Sequence, residues 1–286
     1  MIRLKLKRIP MLALAAVATA ASASCGHLIL EDRSACPAFL VFEITNASKF
    51  DISERAFVAA YKYPENMLLA KDTTSVRLIQ EKEFYLKVKR TDTATGYGIL
   101  CFDGATQDGS RWTVKPGEEF PPLWRFEFRS QAQSESYVIP VEAVKDHSRI
   151  TIRFTDADAF PGTGGEFPYY VVIHSNTNGI DAMDGEPVKG EFRFEPVEYS
   201  VGEFRVCVPR QFDRGMYMEV IAKEGLTEQE GTLMTLPLWN LLREQADFSW
   251  TEKNLPDAHV EISITENKYV VTVIDWNGHS GWEYYR

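Results

Sequence analysis

Arg149-Ile150-Thr151-Ile152-Arg153-Phe154-Thr155 alternates apolar with polar side chains at every step. On an extended chain successive side chains point to opposite faces, so Ile150, Ile152 and Phe154 share one side while Arg149, Thr151 and Arg153 share the other. The stretch predicts a strand with one buried and one wet face. Parallel strands covered on both faces read as continuous apolar runs, so this pattern points to an antiparallel sheet packed on one side.

Working outward, Ala38 to Thr45, Phe84 to Lys89, Trp124 to Arg129 and Tyr137 to Val141 are short runs rich in β-branched and aromatic residues, and each is read as a strand. Between Asp156 and Pro168, Pro161, Gly162, Gly164 and Gly165 cluster with small and acidic residues, and the domain boundary is placed there. Beyond it, strands are expected at Tyr169 to His174, Gly190 to Glu195, Phe204 to Val208, Met216 to Ala222 and Gly231 to Leu236. Val260 to Thr265 and Tyr269 to Trp276 are expected to form a hairpin around Glu266-Asn267. Asn178-Gly179 and Asp184-Gly185 are both read as turns. Helix is scarce, and Leu238 to Gln245, opened by Pro237, is the best candidate. The expected fold is therefore all-β, with two antiparallel β-sandwiches in tandem at residues 25–157 and 166–286.

The N-terminus carries an address. Arg3, Lys5, Lys7 and Arg8 form a cationic head, Met11 to Ala21 an apolar run too short to span a bilayer, and Ser22-Ala23-Ser24-Cys25 a small-residue exit ending on a thiol. Residues 1–24 are read as a secretory signal. Two cleavages compete: before Cys25, with a diacylglyceryl group placed on that thiol, or after Ala21-Ser22-Ala23, releasing a soluble protein. The first makes a lipoprotein held by its acyl chains. Ser22 occupies the position three before the cysteine, where a bulkier apolar residue is more usual. Residues 1–24 hold four cations and no acid, so their removal takes the formal charge from −10 to −14. Such a surface repels nucleic acid and anionic lipid, which argues against a nucleic-acid partner and leaves acyl chains as the means of membrane attachment.

Besides Cys25 there are Cys36, Cys101 and Cys207, an odd number in a compartment that permits disulfides. Cys36 with Cys101 is the favoured pair because both fall in the first half, and a free buried thiol stands as the alternative for each. Motifs of catalysis are missing: the sequence has no H-E-x-x-H, G-x-S-x-G, phosphate-cradling glycine loop or C-x-x-C. His27, His147, His174, His259 and His279 are scattered. The acidic stretches Asp156 to Asp158 and Asp181 to Glu186 do not match a calcium loop, and Asp and Asn also serve turns. No enzyme activity, metal or cofactor is expected.

Three stretches carry a resemblance. Glu31-Asp32-Arg33-Ser34-Ala35-Cys36-Pro37 follows the candidate lipid cysteine and leads into a strand. Val208-Pro209-Arg210-Gln211 comes later, and Trp250 with Leu255-Pro256-Asp257 precedes the final hairpin. Together they resemble the Bacteroidetes fimbrial anchor family, the FimB-type lipoproteins associated with type V pili. That resemblance implies two transthyretin-like sandwiches, an outer-membrane location, a lipid on Cys25, and a role at the base of a fimbria without catalysis. It also implies fimbrial subunits as partners, joined by donation of a β-strand to a neighbour's sheet. The tail Asn277 to Arg286, with Trp282, Tyr284 and Tyr285, is either such a contact or the last strand of its own sheet. In that family, polymerising pilins lose an N-terminal strand to an arginine-specific protease and anchors keep it. Here the strand is Ala38 to Thr45, flanked by Arg33 and Arg55, and no processing is expected at either arginine. The alternative is a tip or accessory pilin, or a surface carbohydrate-binding lipoprotein using Trp112, Trp124 or Trp282.

Overall fold

The computed structural model describes residues 36–286 except 50, 52, 91, 132–134, 160–165, 227–230, 244–247, 266, 267, 276, 277 and 286. For residues 159, 265, 268–275 and 278–285 it describes the backbone alone. The expected signal at 1–24, Cys25, and residues 31–35 of the first motif lie outside the described residues.

The first sandwich begins with β1 (Pro37–Ile44), β2 (Arg55–Lys62), β3 (Met67–Ser75), the short helix α1 (Val76–Gln80), β4 (Tyr85–Lys89) and β5 (Thr93–Leu100). A small hairpin follows, β6 (Thr106–Asp108) with β7 (Arg111–Thr113). The chain then returns through β8 (Trp124–Gln131), β9 (Ser136–Val141) and β10 (Val144–Lys145). A three-stranded sheet ordered β4-β1-β9 faces a five-stranded sheet ordered β10-β8-β5-β2-β3. Alternation does the sorting: in β1, Ala38, Leu40 and Phe42 are 0% exposed, and they meet Val58, Phe126 and Phe128 of the opposite sheet in one core.

The second sandwich contains β11 (His147–Phe154), β12 (Tyr169–Asp181), β13 (Pro187–Phe194), β14 (Glu198–Ser200), β15 (Glu203–Pro209), β16 (Tyr217–Ala222) and β17 (Thr232–Leu236). The helix α2 (Leu238–Arg243) and β18 (Ala258–Thr265), β19 (Lys268–Asp275) and β20 (Gly278–Tyr285) complete it. Its sheets run β14-β15-β11-β18-β19-β20 and β17-β16-β12-β7-β6, with β13 also on β12. The fold is all-β, as expected. Among the described residues, pairing is antiparallel except for one parallel pair in each sandwich, β1 with β9 and β11 with β18.

Three expectations are corrected. The boundary does not lie at 158–165: β11 is hydrogen-bonded between β15 and β18, so the second sandwich already includes His147. The Pro and Gly cluster lies outside the described residues, between β11 and β12 in the chain, and β6 and β7 also cross into the second sandwich, pairing with β12 through Trp112 opposite Ile180. Asn178-Gly179 is not a turn. It sits within β12 among register shifts, where a Cβ on Gly179 would lie 2.1 Å from the Trp112 carbonyl oxygen, so only glycine permits this strand approach. Asp184-Gly185 does turn the chain, with Gly185 at φ 78°.

The pairing of Cys36 with Cys101 is not formed: Cys36, Cys101 and Cys207 are free thiols. Cys36 precedes β1 at one end of that strand, where its carbonyl accepts Arg90 N–H. Cys101 follows β5 beside Arg55, near the end that Ile44 reaches. The eight residues of β1 separate those ends by roughly 26 Å at about 3.3 Å per residue. A disulfide requires Cα atoms within about 7 Å.

Candidate functional site

Two features gather the residues that the sequence singled out: the seat of β1, and the seam between the sandwiches.

β1 is the middle strand of its sheet, antiparallel to β4 from Pro37 opposite Lys89 to Val41 opposite Tyr85, and parallel to β9 from Phe39 opposite Ser136 to Ile44 opposite Val141. Phe42 is its anchor, with ring centroids 4.9 Å from Phe128, 6.0 Å from Phe126 and 6.3 Å from Phe84. Burying Leu40, Phe42 and Ile44 contributes on the order of 5 to 9 kcal/mol as an upper estimate, comparable with the whole stability of a domain. Both ends are fastened. At the start, Phe39 N–H donates to the Glu135 carbonyl at 2.9 Å; at the finish, Thr45 N–H donates to Val141 at 2.8 Å. Asn46 then donates to and accepts from the backbone of Ala143, at 2.8 and 3.0 Å, so the side chain of the Asn46-Ala47-Ser48 triplet serves as a clasp.

Of the two arginines that flank this strand, Arg33 lies outside the described residues. Arg55 opens β2, a strand enclosed by β3 and β5; it pairs with Asp103 at 2.9 Å and its guanidinium stacks on Phe102. The following residue, Ala56, is 0% exposed. A protease that needs an accessible extended segment finds none at this bond in the folded chain.

The seam explains the other two motifs. Asp146 is 1% exposed and lies between Arg125 of β8, at 3.0 Å, and Arg210, at 3.1 Å. Arg210 also donates to the carbonyls of Trp250, Glu252 and Lys253, at 2.6, 2.8 and 3.3 Å. One guanidinium therefore ties the loop before β18 to the segment joining the sandwiches. Asp257 extends the tie by accepting Arg149 N–H at 2.7 Å and pairing with Lys145 at 2.5 Å, and Ser148 donates to the Pro256 carbonyl. Burial pushes the Asp146 carboxyl up against the pull of both guanidiniums, while Asp146 and Glu127 hold Arg125 charged in spite of its burial. Gly185 is favoured here by its φ of 78°, and a Cβ would also press on Arg125 Nη2 at 2.3 Å. Beside this cluster is a cavity of about 780 Å³.

The remaining candidates are placed as follows. Trp112 is 2% exposed and packs on Phe57 and Phe102, so it is a core residue and not a sugar platform. Trp124 is half-buried beneath Lys49. The tail containing Trp282, Tyr284 and Tyr285 forms β20, paired with β19 from Asp275 opposite Gly278 to Lys268 opposite Tyr285, and it ends the sheet as an edge strand. The side chains of these three residues lie outside the described residues. Asp181 and Asp184 accept the backbone N–H of Met183 and Glu186, the turn role open to such residues.

No family model matches the chain, and no curated protein matches it. Solved structures do share its fold. The fimbrial anchor protein Mfa2 from Porphyromonas gingivalis superposes with a TM-score of 0.58 at 12% identity, over 87% of this chain and 99% of that one. A candidate polysaccharide-binding protein from Bacteroides thetaiotaomicron gives 0.58 at 11% identity, over 84% and 99%. A candidate adhesin from Bacteroides ovatus gives 0.58 at 12% identity, over 86% and 95%. The chain thus shares its fold with a candidate adhesin and with a fimbrial anchor protein.

Proposed function

We propose that this chain is a lipid-anchored surface protein that attaches a fimbria to the outer membrane, an assembly role without catalysis. The observation that carries the proposal is the seating of β1. A subunit that polymerises by accepting a neighbour's strand must open a groove in its own sheet, and here the groove between β4 and β9 is filled by the chain's own first strand. The fold shared with Mfa2 supports the same reading.

In this account Cys25 carries the lipid, and β1 closes the first sandwich above the membrane. The edge strand β20, including Trp282, Tyr284 and Tyr285, is the candidate contact with the first fimbrial subunit. Its unpaired backbone groups offer main-chain hydrogen bonds to an added strand. The seam makes the two sandwiches one stiff unit, which suits a part that transmits tension from fibre to lipid.

Disrupting the gene tests the reading: fibres are expected in the medium and lost from the cells. Fibres retained normally on the cells contradict it. Cys25→Ser is expected to reproduce that shedding while the two sandwiches stay folded.

A further inference from the structure

We infer that the end of the first sandwich away from the seam is a membrane-contact surface, resting on the anionic headgroups of the bilayer that anchors the chain. The inference rests on the lipid-anchored reading above and adds a second, non-covalent contact to it. Three strand connections close this end. β2 passes into β3 through Tyr63 to Asn66, β4 ends at Lys89 before β5 starts at Thr93, and β8 ends at Gln131 before β9 starts at Ser136. Tyr63 N–H donates to the Thr93 carbonyl at 2.9 Å, joining the first two. β1 starts here too, with Pro37 opposite Lys89 and Phe39 opposite Ser136, and runs towards the seam, where Thr45 and Asn46 bond to Val141 and Ala143.

Two kinds of side chain collect at this end. Tyr63, Met67, Leu68, Tyr137 and Val138 are between 42% and 57% exposed, and they make up five of the eleven exposed large apolar side chains among the described residues. Scattered singly, such side chains need no explanation; grouped, they mark a contact surface. Around them stand Lys62, Lys87, Lys89, Arg90 and Arg129, against Glu65, Asp92 and Glu135. This end is therefore basic on a chain whose formal charge is −10. Glu65 takes Lys62 at 3.1 Å, and the Arg129 guanidinium lies 3.9 Å from the Tyr63 ring centroid. Lys87 and Lys89 are exposed and take part in no ion pair among the described residues. Tyrosine rings and long apolar chains suit the boundary between headgroups and acyl chains, and lysines meet the lipid phosphates. Each cation near an anionic membrane strengthens binding about fivefold.

The course of the chain selects the bilayer as the occupant. Cys36 stands exposed at this end, eleven residues after the candidate lipid cysteine. A chain spans at most about 3.6 Å per residue, so a lipid on Cys25 holds this end within about 40 Å of the bilayer. The seam lies the length of β1 farther on. A second exposed apolar group, Val197, Tyr199 and Val201, shares neither property. It belongs to the second sandwich at the far end of β11, where Phe154 N–H donates to the Gly202 carbonyl, and the cations beside it are matched, Lys223 by Glu198 and Arg205 by Glu203.

The test is flotation of the mature chain, residues 25–286 carrying Cys25→Ser, with vesicles of phosphatidylcholine alone or mixed with phosphatidylglycerol. This protein bears no acyl chain, so the outcome does not depend on whether Cys25 is acylated, and a failure leaves the anchoring reading to its own test. Anionic vesicles are expected to bind it at least about tenfold more tightly than neutral ones, with the difference shrinking as salt rises. Lys87→Glu with Lys89→Glu is expected to abolish the difference. The same charge change at Lys115 and Lys189, which stand with the second sandwich, is expected to leave it intact. Met67→Ser with Tyr137→Ser is expected to weaken binding to anionic vesicles about fivefold, with an unchanged unfolding midpoint because both side chains are exposed. Equal binding to the two kinds of vesicle, equal loss from both pairs of charge changes, undiminished binding by Met67→Ser with Tyr137→Ser, or a dimer of the chain that those two changes dissociate overturns the inference.

Discussion

Phe42 of the first strand meets Phe128 of the opposite sheet edge to face, with ring centroids 4.9 Å apart and planes at 64°. This contact joins the N-terminal strand to the core. Removing the ring leaves a cavity bordered also by Phe84 and Phe126, and Phe42→Ala is expected to cost about 3 to 5 kcal/mol. Urea unfolding measures it. A cost below about 1 kcal/mol would mean that β1 is not seated as described.

The seam gives a contrast between buried and exposed charge. Asp146→Asn removes the carboxylate between two guanidiniums that are 11% and 13% exposed at the side chain. Breaking such a pair costs about 3 to 5 kcal/mol, because the partners stay buried with their charge uncompensated. Lys253→Ala breaks an ion pair with Glu142 in which both side chains are more than half exposed, and less than about 1 kcal/mol is expected. Denaturant midpoints of the two variants in low and high salt check the difference.

His147 confers a pH dependence. It is 4% exposed, its Nδ1 lies 3.0 Å from the Leu123 carbonyl, and burial pushes its pKa down from 6.5 to about 4. Since the folded value is the lower one, the unfolded chain binds more protons in the window between. The contribution to stability is complete above about pH 6.5 and is lost as pH falls towards 4, a difference of about 3 kcal/mol. In His147→Gln, whose amide can still donate to Leu123, the drop in unfolding free energy between pH 7.5 and 4.5 is expected to shrink by about that amount. An identical drop in both proteins would refute the assignment.

Gly98 of β5 carries a packing constraint: a Cβ there would lie 2.0 Å from Phe126 Cζ. Gly98→Ala is expected to destabilise by about 1 to 3 kcal/mol through displacement of that ring, readable as a lower thermal midpoint. Ala at the same position without any loss would show that the ring has room to move.

That glycine also shows where the sequence was hard to read. β4, β8 and β11 announce themselves through alternation of apolar and polar residues, and β1 and β9 through runs of β-branched and aromatic ones. By contrast β2, Arg-Ala-Phe-Val-Ala-Ala-Tyr-Lys, and β5, Thr-Ala-Thr-Gly-Tyr-Gly-Ile-Leu, are inner strands of their sheet and resemble poor strand formers. Their small residues make room for large ones opposite: Gly96 and Gly98 lie under Phe128 and Phe126, a relationship between distant segments that local pattern does not contain. The same holds for the site. Arg210, Trp250 and Asp257 stand in the motif stretches, but their joint work on Asp146 and on residues 145–149 depends on pairings more than a hundred positions apart in several cases. Asp146 itself carries no local signal. Its neighbour His147 begins the strand that enters the second sandwich, and nothing in the local pattern separates a proline and glycine cluster between two strands of one sandwich from a linker between two domains.

The central claim is that the protein keeps its first strand and is held by a lipid at Cys25. Mass spectrometry of the mature N-terminus, on protein recovered from outer membranes, tests both at once. The expected result is a chain that begins at a diacylglyceryl-modified Cys25 and continues unbroken through β1. A chain that begins at Ser34 or Ala56 would contradict it.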